Sequence, residues 1–219
     1  MIKQRDIFLT SEGDAFFERN HLAEEKEKLD PVLNCIDELK LKPKHVLEIG
    51  CSDGWRLHAI KERINCDVKG IDPSAIAKDD GISKGLDIRQ GTADDLPFED
   101  NSFDLVIFGF CLYLCDRSDL FKICSEADRV LENNGMLLVF DFITSTPCRN
   151  DYHHKKGISS YKMDYTEMFL WNPSYSMKYQ KIMAYDDGRD ASKVSESDRI
   201  AISILSKDDD SGYSDCDRK

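Results

Sequence analysis

The stretch HVLEIGCSDG, residues 45–54, is a short apolar run that ends in an acid, Glu48, and turns on two glycines, Gly50 and Gly54, with Trp55 directly behind. Glycine admits left-handed backbone and lets another backbone or a ligand approach closely. A strand that ends this way raises the question of what sits on its turn, and the remainder of the chain has to agree with the answer.

An alternating series starts here. Strand 45–49 is followed by a helix over 54–64, with Leu57, Ile60 and Ile64 at helical spacing. Strand 67–71 (DVKGI) leads to a short helix from Pro73, and strand 86–90 leads to the turn LPFEDNS. FDLVIFGF (103–110) is a continuous apolar run, as expected of a strand covered on both faces. Ser118 is placed to cap a helix over 119–132, NNG stops it, and MLLVFDF (136–142) is a fifth strand. Five strands alternating with helices predict a parallel, doubly wound sheet with right-handed crossovers.

Upstream, residues 14–40 read as helical, with Pro31 at a helix start and Val32, Leu33, Ile36 and Leu39 on one face. Downstream of Pro147 the alternation breaks into an aromatic and histidine-rich stretch, 151–175. KYQKIMAY (178–185) and RIAISIL (199–205) then read as an antiparallel pair closing one edge of the sheet.

Composition bounds the function. The formal charge is -12 over 219 residues, of which the tail from Lys207 carries -2 and the rest -10. Nucleic-acid binders take most of their non-specific affinity from Lys and Arg, so a long polyanion is not the expected partner. The apolar run at 103–114 contains Asp104 and is too short to span a bilayer, and the N-terminus shows no secretory leader. The eight cysteines form no C-x-x-C, and no metal-ligand spacing occurs, so no metal is expected and a reducing cytoplasm is the simplest location.

In a doubly wound sheet, ligands sit at the carboxyl ends of the strands near the switch in strand order. A dinucleotide turn wants G-x-G-x-x-G, but the three positions here are Gly50, Ser52 and Trp55, and a tryptophan opposes the close helix packing of the third. No G-x-x-x-x-G-K-[ST] occurs either. S-adenosylmethionine makes different demands: backbone donors for a carboxylate, an acid one strand away for the ribose hydroxyls, and a backbone donor with apolar walls for adenine. Asp72 ends strand 2, and GTADDLPF follows strand 3.

With these residues in place the chain resembles the class I S-adenosylmethionine-dependent methyltransferases. VLEIGCSDG matches their first motif, GID the ribose-binding acid, GTADDLPFEDNSFDLVIFGFCLYL the third and fourth, and RVLENNGMLLVFDF the motif ending in strand 5. The resemblance covers about residues 40–145. It implies an α/β fold, a Rossmann-like seven-stranded sheet that is mostly parallel with an antiparallel C-terminal strand. The expected division is a helical lid over 1–44, a cofactor-binding domain over 45–206 and an acidic tail over 207–219.

Carried over by position, Glu48, Gly50, Cys51, Ser52 and Gly54 line the methionine end, and Asp72 with Pro73 holds the ribose. Ala93 offers its N–H to adenine, and Gly109 and Phe110 lie beside the sulfonium. Thr92 stands where the family often has an Asp, which shifts the adenine-amine contact to Asp94. Tyr113 and Leu114 replace a frequent histidine pair after strand 4. That leaves Tyr113, at the substrate pocket or in the core, and His153 and His154, after strand 5, as the catalytic candidates.

The aromatics of 152–179 form either a core lid or a stacking wall for a sugar or ring, and Phe16 and Phe17 the buried face of an N-terminal lid helix. SEGDAFFERN and WNPSY resemble methyltransferases encoded among bacterial surface-sugar genes. The implied function is methyl transfer to an oxygen or nitrogen of a small soluble acceptor, a sugar or nucleotide-sugar among them, by a monomer or homodimer without nucleic acid or membrane. A protein acceptor, or a non-catalytic cofactor-binding partner subunit, are the alternatives.

Overall fold

A computed structural model describes residues 3–20, 30–185, 190–210 and 212–213. The segment 21–29 of the expected 14–40 helix, with His21, and residues 211 and 214–219 of the expected tail lie outside the described residues.

The sheet is built from β1 (His45–Ile49), β2 (Asp67–Asp72), β3 (Asp87–Gln90), β4 (Phe103–Gly109) and β5 (Leu131–Phe142). A hairpin follows, β6 (Cys148–Asp151) and β7 (Ser159–Lys162), then β8 (Tyr175–Ala184) and β9 (Arg199–Lys207). The seven strands of the main sheet run in the order β3-β2-β1-β4-β5-β9-β8. β1 to β5 are parallel, and β9 runs antiparallel to both β5 and β8. β1 pairs with β2 on one side and β4 on the other, so the strand order reverses beside it and a crevice opens above its carboxyl end.

Each face of the sheet carries its own core. On one, α3 (Pro31–Glu38) and α4 (Trp55–Ile64) bring Val32, Leu33, Ile36, Leu57 and Ile60 against Val46, Leu105, Ile107 and Ile202. On the other, α6 (Leu120–Val130) and α7 (Glu167–Leu170) bring Ile123, Ala127 and Phe169 against Leu47, Val106, Phe108 and Val139. Leu105 to Phe108 have no exposed surface, as a strand covered on both faces requires. α5 (Ala75–Ser83) follows β2 and is capped by Ser74, whose hydroxyl accepts the Ala77 N–H at 3.0 Å.

Several boundaries differ from the sequence expectation for physical reasons. β4 stops at Gly109, because Phe110 has left-handed backbone, φ 66°. α6 is preceded by a 3-10 turn over Arg117–Asp119, and Ser118 bonds the Asp119 carboxylate at 3.2 Å instead of capping the helix. Lys207 belongs to β9 and not to a tail: its buried ammonium donates to the carbonyls of Asp128 and Leu131. α3, within the expected lid, is core. The segment that overhangs the crevice is shorter: α1 (Gln4–Ile7), a π-helical turn over Phe8–Glu12, and α2 (Gly13–Asn20). No helix among the described residues is long and apolar enough to cross a membrane.

Candidate active site

The turn after β1 uses left-handed backbone at every second residue, with φ 77° at Gly50, 54° at Ser52 and 73° at Gly54. Alternation of this kind points successive N–H groups to one side. The N–H groups of Gly50 and Cys51 donate to the Ile71 carbonyl at 2.9 and 3.3 Å, and that of Ser52 donates to Asp72 Oδ2 at 2.8 Å. Ser74 donates its N–H to Asp72 Oδ1 at 2.9 Å. Burial pushes the Asp72 carboxyl up to about 6, against the pull of these two donors.

Close packing around the turn requires two glycines. A Cβ on Gly50 would lie 2.6 Å from Cys111 Cβ, and one on Gly109 would lie 2.4 Å from Glu48 Oε1 and 3.1 Å from Arg56 Nη1. Gly109, Glu48 and Arg56 are therefore in direct contact below the turn.

Arg56 sits in the first turn of α4, where the helix dipole disfavours a cation. Two buried acids hold it there. Its guanidinium pairs with Glu48 and binds Asp30 through Nε and Nη2 at 3.1 and 2.9 Å, while Asp30 caps α3 by accepting the Leu33 N–H. Burial and the nearby Asp30 push the Glu48 carboxyl up to about 7, opposed by Arg56. Glu48 has no exposed surface and lies behind Gly109, so the cavity wall at this end is Arg56 and not Glu48 as the sequence implied.

The cavity has a volume of about 450 Å³. Of the cofactor residues expected from sequence, all but Glu48 and Gly54 line it. Gly54 instead packs on Leu86 and Ile88, which leave no room for a Cβ. Thr92 donates its hydroxyl to Asp94 Oδ1 at 2.7 Å, and Arg5 of the roof binds the same carboxylate, with Lys122 3.7 Å away. Asp94 thus already holds three partners.

The roof is tied down along its length. Asp116 receives the N–H groups of Gln4 and Arg5, both at 3.0 Å, and Lys3 pairs with Asp119 at 2.5 Å. Gln4 bridges the Leu114 carbonyl and the backbone of Ser159 on β7. Asp14 accepts from Ser74 Oγ and the Ile76 N–H at the start of α5. Phe8, Phe16, Phe17 and Asn20 face the cavity from this roof.

The three expected catalytic residues lie elsewhere. Tyr113 is buried, its ring packed on Phe110 and Phe142 at 5.1 and 5.3 Å, and burial raises its hydroxyl well above the usual phenol range. It is core, not pocket. His153 and His154 are exposed on the turn joining β6 and β7, outside the cavity lining, because that hairpin packs its Tyr152 side on the roof and turns its polar tip to solvent. Among the described residues, His154 packs on the ring of Tyr152 at 5.3 Å.

Sequence reasoning passed over Arg56, Arg5, Asp30, Asp116 and Asp141. Asp141, buried at the end of β5, accepts the N–H groups of Leu112, Tyr113 and Phe142 and so fixes the turn that carries Phe110. The available signal was Arg56 itself, a cation at a helix start beside an apolar face, which demands acidic partners.

Comparison with known proteins agrees with this fold. Residues 47–139 match the family model described as a methyltransferase domain. An uncharacterized protein of Haemophilus influenzae is 33% identical over 106 residues, 45% of this chain and 42% of that protein. The norajmaline N-methyltransferase of Rauvolfia serpentina is 32% identical over 118 residues, 50% of this chain and 39% of that enzyme. These matches cover about two fifths of the relatives' own length. Among solved structures, the 1,6-didemethyltoxoflavin-N1-methyltransferase of Burkholderia thailandensis, with 1,6-didemethyltoxoflavin and S-adenosylhomocysteine bound, superimposes with a TM-score of 0.72 at 13% identity, over 94% of this chain and 87% of that one. That likeness shows the fold.

Proposed function

We propose that this chain, whose residues 47–139 match the methyltransferase-domain family, is a class I S-adenosylmethionine-dependent methyltransferase that binds S-adenosylmethionine in the roofed cavity and transfers the methyl group to a nitrogen or oxygen of a small acceptor. The observation that carries this reading is the Ser52–Asp72 bond: it sets the glycine turn beside an acid at the switch point of the sheet.

The residues fit the cofactor. Asp72 spends one lone pair of each oxygen on backbone N–H groups and retains the others for two ribose hydroxyls. Pro73 walls the ribose. Gly50, Cys51, Ser52 and Gly109, which line the cavity, receive the methionine end, with Gly54 shaping the turn from behind and Glu48 acting through Arg56. Arg56 has N–H groups beyond those used by Glu48 and Asp30, and it faces the methionine carboxylate. Ala93 offers a backbone N–H to adenine, with Thr92 and Asp94 beside it. Bound here, S-adenosylmethionine supplies an electrophilic methyl group on sulfur.

This chain's own contribution is orientation and exclusion of water. Phe110 and the roof residues Phe16 and Phe17 close the space around the acceptor, and the Arg5–Asp94 and Lys3–Asp119 pairs hold the roof shut. No step is assigned to Tyr113, His153 or His154. A roof tied down along its length supports a small molecule over a protein side chain as the acceptor.

Incubation with methyl-labelled S-adenosylmethionine and size-sorted metabolite and protein fractions tests the reading. Label should appear in the small-molecule fraction. Label confined to protein would overturn the acceptor class, and none in any fraction would count against transfer.

A further inference from the structure

We infer that the space between Phe110, Trp55 and the roof residues Phe16 and Asn20 is the acceptor subsite, and that it takes a flat conjugated ring. The inference rests on the cofactor reading above, since it concerns the part of the same cavity that the cofactor residues leave over.

Phe110 is held in a conformation that a bulky side chain rarely adopts, φ 66°, directly after Gly109. Such an outlier persists only where its surroundings determine it, and these do. Its N–H donates to the Phe140 carbonyl at 2.9 Å, and its ring rests on Phe140, Phe142 and Tyr113 at 5.0 to 5.1 Å. Tyr185 stacks on it nearly parallel, 5.7 Å away and 15° off plane. Phe110 lines the cavity, and these neighbours fix its ring there.

Arg56 lies against Gly109, its guanidinium covers the Trp55 ring at 4.8 Å, and Trp55, Arg56 and Phe110 all line the cavity. Phe16 and Asn20 line the cavity from the roof. Aromatic faces reward a flat π-system with stacking contacts beyond the burial of area, and a single amide can orient one polar ring atom.

A pyranose would set several hydroxyls against these aromatic walls, and each left without a partner is costly.

The test uses the full chain and reads two ligands in order. S-adenosylhomocysteine is titrated first by calorimetry; no binding would overturn the cofactor reading and this subsite with it. The saturated protein is then titrated with two-ring nitrogen heteroaromatics such as quinoline, with the saturated analogue decahydroquinoline, and with methyl glucoside. The planar probes should bind about tenfold more tightly than their saturated counterparts. Phe110→Leu should lose about tenfold more affinity for quinoline than for S-adenosylhomocysteine. Phe16→Leu, on the roof, repeats the measurement in case the strained turn does not tolerate change. Equal binding of saturated and planar rings, tighter binding of the glucoside, or quinoline affinity unmoved in both variants while S-adenosylhomocysteine still binds would overturn the subsite alone.

Discussion

Ser52 donates its backbone N–H to Asp72 Oδ2 at 2.8 Å, and this bond joins the glycine turn after β1 to the acid that ends β2. Neither residue is placed by its own strand alone. The turn needs left-handed backbone at 50, 52 and 54 to aim the donor, and Asp72 needs the donor to remain oriented in a buried position. The cavity follows from that pairing.

Gly50→Ala should be the costlier of two otherwise similar substitutions. At φ 77° a Cβ is strained, and here it would also meet Cys111 Cβ at 2.6 Å. Gly85, at φ 81°, has nothing within 4 Å, so Gly85→Ala carries only the backbone penalty of about 1–2 kcal/mol. Urea denaturation of the two variants should show Gly50→Ala the less stable. Equal losses would mean that the turn and Cys111 are not in contact.

Arg56→Met leaves Glu48 and Asp30 buried without their cation, and breaking such a pair from one side costs about 3–5 kcal/mol. Adding Glu48→Gln should recover part of that loss in a denaturation series. If the double variant is no more stable than Arg56→Met, Glu48 is not charged against Arg56.

Stability should fall as pH rises from about 4 to about 7. Burial raises Asp141 to about 7 and Asp72 to about 6, so between the ordinary carboxylate range and these values the folded chain holds more protons than the unfolded one. Raising the pH through that window removes the difference and with it the stability. Asp14, Asp119 and Glu126, which are depressed, act in the opposite sense only at lower pH. Thermal melts should therefore show a higher midpoint near pH 5 than near pH 8, with a flatter profile in Asp141→Asn. A midpoint that climbs with pH in this range contradicts the assignment.

Asp116→Ala removes the acceptor for the first two N–H groups of α1, a capping loss of about 0.5–2 kcal/mol. Hydrogen exchange should quicken across residues 4–20 while β1 to β5 remain protected. Unchanged exchange would place the anchorage of the roof in its other contacts.

The framework of this site was legible because its signals are local. Strand period, the glycine turn and the acids closing β1 and β2 each occupy a few consecutive residues. The direction of Glu48 was not, since an acid ending a strand reads as a ligand whether it faces the cavity or a buried guanidinium 8 residues on. The histidines failed for a related reason. Their position after β5 places them near the substrate side, but the hairpin that carries them has polar strands, CRND and SSYK, with no apolar period to reveal it. Phe110 shows the same limit: its left-handed backbone comes from the rings packed around it, which converge from β4, β5 and the end of β8.

Calorimetric titration of S-adenosylhomocysteine into the wild-type chain and into Asp72→Asn tests the central claim most directly. The wild type should bind one equivalent, and the variant should lose about 1.5–3 kcal/mol for each charged ribose bond, with its melt showing it folded. Wild-type affinity should also weaken as the pH falls through about 6, where Asp72 takes up a proton. A folded Asp72→Asn that binds as tightly as the wild type, or a wild type that does not bind, would contradict the account.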